Sequence, residues 1–102
     1  MVKYYDSKFL ENYFSKVFKK LKIKKRIYKP VVDGLIETSY RGVDSHGIEL
    51  FPKYVDEVLE GRININPNFV FEKTSSSVLV LDADHTFGIT SSFFAINKAI
   101  KV

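Results

Sequence analysis

Seven consecutive positions, Arg41 to Gly47, hold an Arg, two glycines, an Asp and a Ser-His pair. The segments on either side carry apolar residues at helical spacing. No helix runs comfortably through this stretch: an internal glycine costs up to ~1 kcal/mol against alanine, and polar groups are costly to bury without partners. The chain must therefore break here, at a helix–helix junction that presents polar side chains outward. The segment from Thr38 to Tyr54 organises the rest.

Before it, Asp6 or Ser7 can cap a helix start. Phe9, Leu10, Tyr13, Phe14, Val17, Phe18 and Leu21 then follow the i, i+3/i+4 stripe of an amphipathic helix over about 7–21. This stripe reads as packing. A basic link over 22–27 leads to a second helix, expected to start between Tyr28 and Pro30. Its apolar face is Val31, Val32, Leu35 and Ile36, Gly34 weakens it, and it ends near Tyr40 to Gly42. A third helix is expected from Ser45 or Gly47, with Ile48, Phe51, Val55, Val58 and Leu59 on one face. Pro52 must lie in its first turn or kink it, and Gly61 stops it.

Past the turn-rich stretch Asn64 to Asn68, Phe69-Val70-Phe71 reads as a short strand and Lys73 to Ser76 as a turn. Ser77 to Asp82 reads as a second, β-branched strand, and 89–101 as a final helix. The expected fold class is α+β, mainly helical: three N-terminal helices, then a β-hairpin and a helix that begin a larger α/β domain. The expected division is 1–66, a helical segment with the Ser-His motif, and 67–102, the incomplete start of an α/β cofactor-binding domain. An isolated hairpin is marginal in water, so the sheet is expected to continue in further sequence.

A length of 102 residues suits one small domain or a piece of a larger one. With no cysteine there is no disulfide framework and no thiolate metal site. No apolar run suits a signal peptide or a membrane span, so a cytoplasmic location and no membrane partner are expected. The net charge of +4 is mostly local: Lys19, Lys20, Lys22, Lys24, Lys25, Arg26 and Lys29 cluster together. Such a cluster can bind nucleic acid or simply be a solvated helix end. The second reading is preferred, with no nucleic-acid partner.

Two constellations could carry chemistry. Asp44-Ser45-His46 holds the residue types of nucleophilic catalysis, but sequence neighbours rarely face one another as a triad does. His46 could instead exchange a proton with a substrate hydroxyl or carbonyl, oriented by Ser45. The alternative is that Asp44 or Ser45 is an N-cap and His46 a surface residue. The second constellation is Asp82-x-Asp84-x-Thr86 after an apolar strand. It resembles the first motif of haloacid-dehalogenase-type phosphatases and the metal-binding carboxylates of some glycosyltransferases. The alternative is a strand-to-helix turn whose Asp and Thr cap the helix, with no metal site. No G-x-G-x-x-G or P-loop is present.

Taken together, Arg41 to Gly47 (R-G-V-D-S-H-G), Pro52-Lys53-Tyr54-Val55, Leu59 to Asn64 and Asp82 to Gly88 strongly resemble the malate/L-lactate dehydrogenase family of the non-Rossmann type. That family also includes ureidoglycolate and sulfolactate dehydrogenases and ketimine reductases. The resemblance implies an NAD(P)-dependent oxidoreductase acting on small 2-hydroxy or 2-oxo acids, with NAD or NADP as cofactor. It makes Ser45 and His46 the candidate catalytic pair, His46 also a candidate cofactor contact, and Tyr54 and Arg41 candidate substrate-binding residues.

Two positions depart from the family pattern. Leu50 stands where an Arg suited to clamping a carboxylate is usual, and a D-G-D-N-G-x-G stretch has become Asp82-Ala83-Asp84-His85-Thr86-Phe87-Gly88. The resemblance also implies that the chain is about the first third of such an enzyme, with the remaining active-site residues beyond Val102. The expected partners are then the small acid substrate and either a second copy or a complementing downstream polypeptide. The alternative is a truncated, catalytically inactive remnant or interaction module.

Overall fold

Helix α1, Ser7–Lys20, begins where Asp6 turns the chain out of an extended conformation and accepts the Lys8 N–H at 3.0 Å. The computed structural model describes residues 5–101; the ends of the two expected regions, 1–4 and 102, lie outside the described residues. Lys19 and Lys20 close α1, where cations suit the negative end of the helix dipole.

Helix α2, Lys25–Tyr40, starts three residues or more before the expected Tyr28 to Pro30. The basic link shrinks accordingly. Pro30 lies in the second turn, not the first, and cannot serve the Arg26 carbonyl. Arg26 is exposed, so water can take that carbonyl, while burial of Ile27 and Tyr28 favours the extra turn. Gly42, at φ +90°, ends the helix in the left-handed conformation that glycine adopts freely.

The third helical segment is not one helix from Ser45 or Gly47. Two single 3-10 turns, Asp44–His46 and Ile48–Leu50, precede α3, Phe51–Leu59. Pro52 explains the second turn: it has no N–H for the Ile48 carbonyl, which accepts the Phe51 N–H in an i→i+3 bond instead. Pro52 thus sits in the first turn of α3, and Gly61, at φ +77°, follows its end.

Strands β1, Val70–Ser75, and β2, Val78–Asp82, form the expected antiparallel hairpin. The strand pair is longer than expected. Lys73 pairs with Leu79 and Ser75 with Val78, an irregularity falls between Lys73 and Ser75, and the turn is Ser76-Ser77. Helix α4, Gly88–Ile100, covers one side of β2.

Helix α2 lies between α1 and α4 and contributes Ile27, Tyr28, Val31, Val32 and Leu35 to the core. Phe14 and Phe18 of α1, Phe51 of α3 and Phe87 before α4 meet them. Phe14 stacks on Phe51 with ring centroids 4.0 Å apart, and Phe18 meets Phe51 and Phe87 edge-on. Rings of this size dominate burial energetics. Thr90, fully buried, donates its hydroxyl to the Ile27 carbonyl at 2.6 Å and ties α4 to α2. A Cβ on Gly34 would lie 3.1 Å from Ile89 Cγ2, so this glycine permits close packing of the two helices. Three expected packing residues stay outside: Phe9, Tyr13 and Leu59 are all more than half exposed. No helix among the described residues is long and apolar enough to cross a membrane.

Candidate active site

The junction after α2 is built by a contact across its last turn. Ser39 Oγ accepts the Ile48 N–H at 2.8 Å. Gly47, buried, packs directly against Ser39: a Cβ there would overlap Ser39 Oγ and lie 2.8 Å from the Ser39 nitrogen and 2.9 Å from the Leu35 carbonyl oxygen. Gly47 is therefore required by space. Backbone bonds complete the clamp: Val43 N–H donates to the Thr38 carbonyl, His46 N–H to Val43, and Gly47 N–H to Asp44. The tripeptide Asp44-Ser45-His46 is held as a tight turn with all three side chains exposed.

On this turn Ser45 Oγ lies 3.2 Å from His46 Nδ1. The neighbours come within hydrogen-bond reach although a 3-10 turn sets successive side chains about 120° apart, so the contact is made by the side chains themselves and not by the backbone period. Asp44 makes no hydrogen bond to either among the described residues, so the turn holds a Ser–His pair and not a triad. Neither Asp44 nor Ser45 caps a helix, since neither 3-10 turn has a side-chain cap.

Arg41 caps the end of α2, where its Nε–H donates to Glu37 Oε1 at 2.9 Å one turn back. The pair is largely exposed. Tyr54, half-buried on α3, sets its ring edge-on against Phe87 at 5.7 Å. Burial raises its hydroxyl above the usual tyrosine value, and the nearby Glu57 carboxylate adds to the rise. No hydrogen bond joins Arg41 or Tyr54 to the Ser45–His46 pair among the described residues. Leu50 packs against the apolar core.

The second constellation is structural. Asp84 Oδ2 accepts Asn64 Nδ2–H and the Asn68 N–H, both at 2.9 Å, and the Asn64 N–H donates to the His85 carbonyl. Asp82 Oδ1 accepts the Asp84 N–H at 2.9 Å. These bonds fasten the 64–68 connection to the loop before α4. Neither Asp84 nor Thr86 caps α4, which begins at Phe87 without a side-chain cap. No group of three or more His, Cys, Asp or Glu side chains suited to a metal occurs among the described residues. Asp84 and His85 both adopt left-handed backbone, at φ +55° and +62°.

Sequence reading missed Ser39, Asn64 and Thr90 as positioning residues. Their bonds span 9, 20 and 63 positions, so no local pattern marks them.

Comparison with known proteins agrees with this architecture. The family model for malate/L-lactate dehydrogenase matches residues 5–102. A malate dehydrogenase from Pyrococcus abyssi is 34% identical over 92 residues, 90% of this chain and 25% of that protein. Hydroxycarboxylate dehydrogenase B from Escherichia coli O157:H7 is 30% identical over 97 residues, 95% of this chain and 27% of that protein. The crystal structure of malate dehydrogenase from Entamoeba histolytica superposes with a TM-score of 0.90 at 26% identity, covering 99% of this chain and 28% of that one. The chain thus spans about a quarter of the length of the curated relatives it matches. With its four helices and hairpin superposing on the matching part of a solved relative, and the family pattern running through the clamped Ser-His turn, the chain belongs to the malate/L-lactate dehydrogenase family.

Proposed function

We propose that this chain is the N-terminal portion of an NAD(P)-dependent oxidoreductase that moves hydride between nicotinamide and a small 2-hydroxy or 2-oxo acid. One observation carries the reading: the Ser45–His46 contact on an exposed, clamped turn, within a family of dehydrogenases. Residues 1–66 serve as the helical segment that presents this turn, and 67–102 as the start of the α/β cofactor-binding domain. The complete site needs a polypeptide equivalent to the rest of the relatives' length. Its place is the cytoplasm.

The chemistry assigned to each residue follows from its donors and acceptors. Nicotinamide, as NAD or NADP, supplies or accepts the hydride at the substrate carbon. His46 handles the proton at the substrate oxygen. In the reductive direction the doubly protonated ring gives its Nε2 proton to the forming alkoxide and keeps Nδ1–H donated to Ser45 Oγ, which leaves the neutral Nδ1–H tautomer. When Nδ1–H donates to Ser45 Oγ, Nε2 offers a lone pair to a hydroxyl. Ser45 thus serves both directions by orienting the ring. Arg41 keeps guanidinium donors beyond the one used by Glu37, and these suit a substrate carboxylate. The Tyr54 hydroxyl, with no hydrogen-bond partner among the described residues, suits a substrate oxygen.

This donor set fits the proton-handling half of the reaction, and His46 is the residue that would contact the cofactor. The chain has no phosphate-binding glycine turn, so a cofactor here would not be held by a Rossmann-type turn.

The test combines this chain with a polypeptide matching the remaining length of the Pyrococcus abyssi relative. NADH and NADPH absorbance are followed with a panel of 2-oxo acids and cyclic ketimines. Turnover that disappears with His46→Asn supports the reading. No reduction with either cofactor counts against it. The second reading, a catalytically inactive interaction module, is favoured by one observation: Leu50 packs into the core at the position of the usual carboxylate clamp. Binding of neither cofactor to the combined polypeptides would favour it.

A further inference from the structure

A hollow of about 600 Å³ lies between α2 and α4. Its apolar lining is Pro30 and the bare backbone of Gly34 from α2, with Ile89, Phe93 and Phe94 from α4. Two contacts fix the helices that frame it. Thr90 donates its hydroxyl to the Ile27 carbonyl at 2.6 Å, and a Cβ on Gly34 would lie 3.1 Å from Ile89 Cγ2. The hollow is therefore preformed, and its volume falls in the range of small-molecule sites. Phe93 is half exposed beside it, so apolar surface stands open to water there.

The charged residues around the hollow identify its ligand. All of them come from α2: Arg26, Lys29, Asp33 and Glu37. Three have partners on α2 itself. Lys29 Nζ lies 2.7 Å from Asp33 Oδ2, and Arg41 Nε lies 2.9 Å from Glu37 Oε1. Arg26 has no acidic partner among the described residues, so the one uncommitted charge on the rim is a guanidinium. Exposed Lys22 and Lys25, close to it in the chain, add to the positive potential at that end. Arg26 and Glu37 stand ~16 Å apart along the helix axis. The rim is therefore cationic at one end and acidic at the other. An elongated apolar molecule with a single anionic head suits it. A guanidinium holds a carboxylate through two parallel N–H bonds, and the tail then lies over the apolar lining. A second carboxylate at the tail would meet Glu37, and an ammonium head would meet Arg26.

We propose that the α2–α4 hollow binds a straight-chain monocarboxylate, with its carboxylate on the Arg26 guanidinium and its alkyl chain on Pro30, Ile89 and Phe93. The site is separate from the Ser45–His46 turn: none of Arg41, Ser45, His46 and Tyr54 lines it. The inference does not depend on the dehydrogenase reading.

The test is titration of the full, isotope-labelled chain with decanoate, read by the NMR shifts of its backbone amides and kept below the concentration at which decanoate forms micelles. Saturable shifts should centre on 26–37 and 89–94. Decylammonium and decanedioate, of the same chain length, should each bind about tenfold more weakly. Arg26→Gln should weaken decanoate about threefold or more and leave decanol unchanged, while Phe93→Ser should weaken both. Both residues stand at the surface, so the fold should persist, and the same spectra report it. Three results overturn the proposal: no saturable shifts in those segments, decylammonium binding as tightly as decanoate, or variants that bind decanoate as well as the unaltered chain. Decanoate binding that vanishes when the chain is combined with the downstream polypeptide also overturns it, since the hollow is then a seat for that polypeptide.

Discussion

Ser39 and Gly47 touch across the end of α2, and this contact holds the Ser45–His46 turn in place. Ser39 Oγ receives the Ile48 N–H, while the missing side chain of Gly47 leaves room for Ser39 itself. Backbone bonds from the Val43, His46 and Gly47 N–H groups complete the hold on the proposed catalytic pair. Its side chains are exposed, and no core contact fixes them.

Gly47→Ala should therefore disturb the turn. The new methyl would meet the Ser39 nitrogen and the Leu35 carbonyl, which are backbone and move only with the helix. Overpacking of this kind costs ~1–3 kcal/mol. Ser39→Ala leaves the Ile48 N–H without its acceptor, at a cost of ~1–3 kcal/mol. Urea denaturation of each variant measures these losses. The double variant should lose less than the sum, because removing the Ser39 hydroxyl relieves part of the clash.

His46→Asn and Ser45→Ala should separate chemistry from folding. Both residues are exposed, so each change should alter stability by no more than ~0.5 kcal/mol. In the combined enzyme, loss of a general acid–base group should lower kcat by ~10²–10⁴, and Ser45→Ala should lower it less. Steady-state kinetics beside thermal melts of the same samples check both halves. A large loss of stability would mean that the pair is structural.

Tyr54 predicts a pH dependence. Burial holds its hydroxyl above the ordinary value, which lies near about 10. The unfolded chain therefore ionises first. The stabilising contribution is complete below that ordinary value and is lost as pH rises through it toward the higher value of the folded chain. Tyr54→Phe should flatten the fall of stability in that alkaline window and leave neutral pH nearly unchanged. Denaturation midpoints over a pH series for both chains provide the measurement.

The loop before α4 holds opposing effects at neighbouring positions. Asp84→Ala removes the acceptor of Asn64 Nδ2–H and the Asn68 N–H and should cost about 1.5–3 kcal/mol. His85→Gly should do the opposite. His85 is exposed and sits at φ +62°, where a side chain costs roughly 1–2 kcal/mol. A gain of about 1 kcal/mol should appear as a higher melting temperature.

Much of the fold is readable along the chain because it rests on local physics. Asp6 caps α1, Gly42 and Gly61 follow the ends of α2 and α3 in left-handed backbone, and Pro52 marks a first turn. The family pattern around Arg41 to Gly47 is also sequence information. Periodicity was less informative where a stripe is wider than the core behind it. Phe9 and Tyr13 share spacing with Phe14 and Phe18, yet only the latter two are buried. Pro30 misplaced the start of α2, because a missing N–H in the second turn is tolerated where the opposite carbonyl faces water.

The sequence by itself determined the helices, the hairpin and the family, since capping, φ preference and apolar spacing act between residues a few positions apart. Only the tertiary structure decided which aromatic rings are core and which stand outside. It also revealed that Ser39 clamps Gly47, that Asp84 fastens the 64–68 connection, and that Thr90 binds the Ile27 carbonyl across 63 positions. Those outcomes depend on where separate elements meet, and a donor's partner on another element leaves no mark in the residues beside it.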